Sequence, residues 1–117
     1  MRHRVKSVRL NRTTSQLRAL MRSLVTSVIL YENVETTKDK AKLACGLVDR
    51  IIATAKRKDT VSAIRYVNSY LLDVNASRKV MDELAPRYKD RTSGFTRIVN
   101  SRIREGDAAQ LVQFQLV

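Results

Sequence analysis

TTSQLRALMRSLVTSVILYENVETTKDK, residues 13–40, changes its hydrophobic period in mid-course, and that change decides the fold. Thr13-Thr14-Ser15-Gln16 matches a capping box, in which a Thr oxygen accepts from an orphan backbone N–H while the Gln side chain reaches back to the cap. Leu17, Leu20, Met21, Leu24, Val25, Val28 and Tyr31 follow at spacings of three and four, which puts them on one face of a helix. Arg18 and Arg22 flank this stripe, with Ser15 and Thr26 beyond them on the polar side. At Asn33-Val34-Glu35-Thr36-Thr37 the period breaks into short β-branched alternation, enough for one brief strand before a Thr-capped second helix.

Downstream, the second helix turns Ala41, Ala44, Val48, Ile51, Ile52 and Ala55 inward and ends in Lys56-Arg57-Lys58, cations that suit the negative end of a helix. Asp59 or Thr60 caps a third helix with Val61, Ile64, Val67 and Leu71 at core spacing. Asn75 caps a fourth, which runs through Val80, Met81 and Leu84 and stops before Pro86. From Arg87 the chain becomes a polar, basic loop, RYKDRTSG (87–94), followed by two strands joined through Arg104-Glu105-Gly106-Asp107, with Gly106 available for a positive φ. Val112, Phe114 and Leu116 share a face of the last strand, whereas the strand before it alternates poorly. The 117 residues suit one domain with a short appendage: a basic arm over 1–12 and a globular α+β domain over 13–117.

Charge indicates what the domain meets. Lys and Arg number 23 against 11 Asp and Glu, a formal net charge of +12. Residues 1–31 hold seven basic and no acidic side chains, five of the seven within the first twelve residues. Such a field draws anionic partners, and nucleic acid is the leading class. Cys45 as the single cysteine rules out an intramolecular disulfide and fits a reducing cytoplasm; with one histidine, His3, it falls short of a four-ligand zinc site. No apolar run approaches the roughly 20 residues of a membrane span, and no secretory h-region follows Met1.

Catalytic groups are scarce. His3 lies in the arm with nothing to fix it, and Asp82 and Glu83 are helix neighbours that diverge by about 100 degrees. Cys45, among Ala44, Gly46 and Leu47, reads as a small core thiol. The glycines, Gly46, Gly94 and Gly106, are too far apart for a phosphate cradle. With 5% aromatics, stacking on single strands is not the main source of affinity.

What remains is guanidinium and ammonium against phosphate in two places: the arm with Arg18 and Arg22, and the segment Arg87, Lys89, Arg91 and Arg97. Folded RNA suits a rigid domain gripping one phosphate ridge while a flexible arm enters a neighbouring groove. The arm, whose Val5, Val8 and Leu10 are too few and irregular to form a core, is expected to order only against RNA. A small nucleoid-type DNA-binding protein, with the helices around Lys56-Arg57-Lys58 imitating a helix-turn-helix, is the alternative; a ribonuclease is a third reading, opposed by the lone unplaced histidine.

MRHR at the start, LNRTTSQLRAL, VETTKDKAK, RTSGFTRI and the closing GDAAQLVQFQLV resemble, in order and spacing, the protein seventeen family of the bacterial large ribosomal subunit, from Met1 to Val117. The resemblance implies an α+β fold in which a helix, a short strand, three helices and two strands build a small mixed sheet packed by helices. It also implies a structural constituent of the large subunit that binds ribosomal RNA near the peptide exit region beside neighbouring ribosomal proteins, in the cytoplasm or in an organelle. The match from Met1 favours a mature arm over a transit peptide. The expected RNA-binding residues are Arg2, His3, Arg4, Lys6, Arg9, Arg12, Arg18 and Arg22 at the front, and Arg87, Lys89, Arg91, Gly94, Thr96 and Arg97 in the second basic segment. No catalytic residue, metal, cofactor, membrane or small-molecule substrate is implied. Gln16 stands where the family usually has His, Ser93 where it usually has Gly, and LACG (43–46) replaces a more basic run, so the second helix is expected to contribute less to RNA.

Overall fold

A computed structural model of the protein describes residues 3–5 and 8–117. Its elements are α1 (Thr14–Tyr31), β1 (Asn33–Thr37), α2 (Lys38–Arg57), α3 (Thr60–Tyr70), α4 (Val74–Lys79), a π-helical turn (Val80–Leu84), α5 (Ala85–Arg87), β2 (Thr96–Ile103) and β3 (Gln110–Leu116). The capping box is formed: Thr13 Oγ1 accepts from Gln16 N, and Gln16 Oε1 accepts from Thr13 N. Met21, Val25, Val28 and Ile29 turn into the core from α1. Tyr31, expected on that face, is 73% exposed, and Thr26, expected on the polar side, is buried. Burial of Thr26 costs little because its hydroxyl is fully used, donating to Arg22 O at 2.7 Å and accepting from Leu72 N at 3.3 Å.

The sheet has the order β1-β3-β2, with β3 central and antiparallel to both neighbours. The mixed sheet implied by the resemblance is thus corrected to a wholly antiparallel one. A hairpin connection fixes β2 against β3, and β1 also runs opposite to β3, so no parallel pair arises. Within the hairpin turn the positive φ falls on Ala108 (55°) rather than Gly106. Asp107 makes this possible by bonding both Arg104, at 2.6 and 2.8 Å, and Ala109 N, at 3.2 Å, which holds the turn through a side chain. Val112 and Phe114 face the helices from the middle strand.

α2 runs through the centre of the core, and all six of its expected inward residues are buried. Thr37 stands at its cap position without a side-chain cap bond. In α3, Val67 is buried as expected and Leu71 is buried just beyond the helix, but Val61 and Ile64 are exposed and Ala63 takes the inward place. Asp59 caps α3, while the cap of α4 is Asp73, whose Oδ1 accepts from Asn75 N at 2.8 Å, rather than Asn75 itself. Helical backbone also continues past Pro86. The π turn precedes it, and Pro86 then occupies the first turn of α5, where a missing N–H and a fixed φ are tolerated.

Glu32 joins three parts of this fold. At φ 61° it ends α1 in the left-handed conformation, its N–H donates to Val28 O at 2.8 Å, and its own carbonyl accepts from Leu116 N at 2.9 Å. Its carboxylate takes a bidentate pair from Arg87 at 2.9 and 3.0 Å and a bond from Lys79 Nζ at 2.9 Å. Hydrogen bonds from Arg87, then Lys79, pull the carboxyl from the ordinary 4.5 down to about 2. A depressed carboxyl lends stability above its unfolded value and loses it as pH falls through the folded one, so this contribution disappears between about pH 4.5 and pH 2. The pair is partly exposed, which limits its worth to about 1 kcal/mol. Glu32→Gln should lower the thermal midpoint by a few degrees at pH 7, and the gap to wild type should close by pH 2 in thermal melts across that range.

Candidate nucleic-acid interface

At the front of the molecule, Arg2 and Lys6 of the expected set lie outside the described residues, and His3, Arg4, Arg9 and Arg12 are exposed. Arg12 N donates to Arg9 O at 3.0 Å, closing a turn in which Leu10 and Asn11 both take φ 52°. The turn lets Leu10 pack against the core, so a residue assigned to the arm already anchors to the domain. Arg9 and Arg12 border a concavity that also reaches Asp39 at the start of α2.

Arg18 and Arg22, one helical turn apart on α1, flank an apolar groove walled by Leu17, Met21, Leu47, Ile51 and Tyr70. Their positions differ in kind. Arg18 is exposed, whereas Arg22 is half-buried and its Nε donates to Tyr70 O at 2.9 Å, tying α1 to the end of α3. Arg22 therefore has a structural task that its spacing did not reveal.

The second basic segment is held by contacts from α2. Asp49 Oδ1 accepts from Phe95 N at 3.2 Å and from the Thr96 hydroxyl at 3.5 Å, while desolvation raises its pKa above the ordinary value. Cys45 Sγ meets Thr96 Oγ1 at 3.0 Å, so the half-buried thiol belongs to this seam and Thr96 turns inward. Lys56 Nζ donates to Arg91 O and lies 5.1 Å from the centre of the Phe95 ring. Tyr88 is buried beneath the loop, with its ring 5.2 Å from Phe95 and its hydroxyl donating to Val117 O at 2.7 Å. Arg91 Nη1 donates to Gly94 O at 2.8 Å, and Gly94 takes φ 70°, a conformation that side chains disfavour.

Of the cations expected in this segment, Lys89, Arg91 and Arg97 are exposed, while Arg87 is occupied by Glu32. Asp49, Lys56 and Tyr88, which shape the segment, were absent from the expected set. The one aromatic in an otherwise polar stretch was the available signal for Tyr88. Lys58 lies 5.0 Å from the centre of the Tyr66 ring, so the basic cluster that suggested a helix-turn-helix is partly tied to the domain itself. Among the described residues, no group of three His, Cys, Asp or Glu side chains is placed to hold a metal ion. No described helix is long and apolar enough to cross a membrane.

Comparison with known proteins gives these surfaces their context. The family model of ribosomal protein L17 matches residues 20–117. The chain is 41% identical over 117 residues to the large ribosomal subunit protein bL17 of Campylobacter jejuni, covering 100% of this chain and 99% of that protein. It is also 41% identical over 117 residues to the protein of the same name from Geobacter sulfurreducens, covering 100% of this chain and 66% of the relative. With the Campylobacter concisus protein it shares 38% over 117 residues, covering 100% of this chain and 98% of the relative. None of these matches supports a nucleoid DNA-binding protein. The chain belongs to the ribosomal protein L17 family, and it is accordingly a structural protein of the large ribosomal subunit and not an enzyme.

Proposed function

We propose that the protein binds large-subunit ribosomal RNA through two cationic surfaces, the arm with Arg18 and the segment around Lys89, Arg91 and Arg97, and so pins RNA elements that the domain alone spans. The supporting observation is the distribution of ion pairs. Among the described residues these pairs engage Lys79 and Arg87 with Glu32, Arg102 with Glu35 and Arg104 with Asp107. Arg4, Arg9, Arg12, Arg18, Arg91 and Arg97 stand outside them and face solvent, where phosphate oxygens supply the missing anions. By sequence, Arg2, His3 and Lys6 are assigned to RNA together with the first of these sets. Arg22, Arg87, Gly94 and Thr96 support these surfaces through bonds within the domain: Arg22 to Tyr70 O, Arg87 to the Glu32 carboxylate, Gly94 O to Arg91, and the Thr96 hydroxyl to Asp49. A location near the peptide exit region rests on the resemblance alone, and crosslinks from Arg4 or Arg97 positions to RNA in the assembled subunit test it.

Deleting residues 2–8, which spares the Arg9–Arg12 turn and with it Leu10, should leave the thermal midpoint of the free protein nearly unchanged while sharply reducing affinity for the RNA. The slope of log affinity against log salt should flatten by about one unit for each phosphate that the shortened protein no longer engages. A large fall in midpoint would show instead that the arm belongs to the core.

Arg18 and Arg22 should separate in the same assays. Arg18→Ala should weaken RNA binding at unchanged stability, whereas Arg22→Ala should cost about 1 to 2 kcal/mol of stability through the missing bond to Tyr70 O.

Gly94 gives a third check. A Cβ there meets nothing within 4 Å, so substitution is opposed by the φ of 70° and not by crowding. Gly94→Val should displace Arg91 and Arg97 and lower RNA affinity more than Gly94→Asn, since Asn tolerates the left-handed conformation. Equal affinity in both variants would assign Gly94 to an adaptable turn.

A further inference from the structure

Gly46 occupies the middle of α2, far from either end of a 20-residue helix, and has helical backbone rather than a positive φ. Gly is the poorest helix former after Pro, so its presence there lowers stability unless some contact needs the missing side chain. No such contact exists among the described residues: Gly46 is exposed, and an added Cβ would meet none of their atoms within 4 Å. The fold would accept Ala at this place without adjustment.

The surroundings of Gly46 are cationic. Lys42 and Arg50 lie one helical turn to either side, about 6 Å along the axis in each direction, and both are exposed. Neither takes part in an ion pair among the described residues. The nearest acidic residue along the helix, Asp49, is turned away to bond Phe95 N and Thr96. Asp39, the acidic residue on the same exposed side, lies at the first turn of α2. The seam formed by Cys45, Asp49 and Lys56 lays the Arg91–Arg97 segment directly alongside, so the exposed side of α2 continues the second cationic surface.

We infer that Gly46, between Lys42 and Arg50, is a close-approach site for the sugar-phosphate backbone of RNA. The two cations pair with phosphates, and the bare helix backbone between them admits the strand more closely than any side chain would. The inference rests on the RNA-binding reading and adds α2 to it as a contact surface continuous with the loop, in place of the reduced share that LACG (43–46) led the sequence to suggest for this helix.

The experiment measures thermal stability and affinity together, for Gly46→Ala and Gly46→Leu in the full chain, with a transcript of large-subunit ribosomal RNA as the probe. Both replacements are strong helix formers, so the thermal midpoint should rise, by about 4 °C for Ala. RNA affinity should fall despite that gain, by about 3-fold for Ala and by about 10-fold or more for Leu, equivalent for Leu to about 1.4 kcal/mol. Raised midpoints with wild-type affinity in both variants would overturn the inference and leave the RNA-binding reading standing. Failure of the wild-type protein itself to bind the transcript would overturn that reading and this inference with it. A fall in affinity for Leu accompanied by a lowered midpoint would be decided by Ala, whose loss of affinity at a raised midpoint supports the site and whose wild-type affinity removes it.

Discussion

The fold depends on one residue held in a left-handed conformation. Glu32 stops α1, redirects the chain into β1 and offers a carbonyl to Leu116 at the end of the middle strand. The same residue sends its carboxylate to Lys79 and Arg87 in the helical stretch beyond α3. A non-glycine residue at φ 61° is strained, and it persists because bonds from three directions determine it. Without it the alignment of the first helix, the sheet and the last helical stretch would rest more heavily on apolar packing, which is less directional.

A basic protein must also decide which cations face inward toward its own acids and which are left for a partner. Here carboxylates hold cations chiefly in the second half of the chain: Glu32 with Lys79 and Arg87, Glu35 with Arg102, Asp107 with Arg104. Asp49 and Asp59 serve backbone N–H groups instead. The outcome is a molecule whose front surface keeps its charge while the hairpin turn is neutralised internally, so the field is directional as well as strong.

Local signals carried most of the architecture. The capping box at Thr13, the inward residues of α2 and the shared face of Val112 and Phe114 were all readable, because each depends on spacing within one element. The sheet being wholly antiparallel was not, since strand direction is set by connections across some 80 residues. The exposure of Val61 and Ile64, the helical path through Pro86 and the positive φ at Ala108 likewise arise from tertiary placement. At the candidate interface, sequence marked cations but could not separate Arg18, which is exposed, from Arg22 and Arg87, which bond within the domain. Basic residues look alike in sequence; only their neighbours distinguish a ligand contact from a brace.

The order of strands carries a consequence for biogenesis. β3 lies between β1 and β2, yet it is synthesised after both. While the chain is emerging, the helices can form and begin to cluster, but neither earlier strand has a partner until residues 110–116 are available. Pairing of β1 with β3 then closes a loop of more than 70 residues, a slow, non-local step. Completion of the β2 pairing fixes the strand that follows the basic segment, and so complements the contacts from α2 that hold that segment. The second cationic surface is therefore the last to mature, which gives a nascent chain little capacity to grip RNA at two points before its own fold is closed.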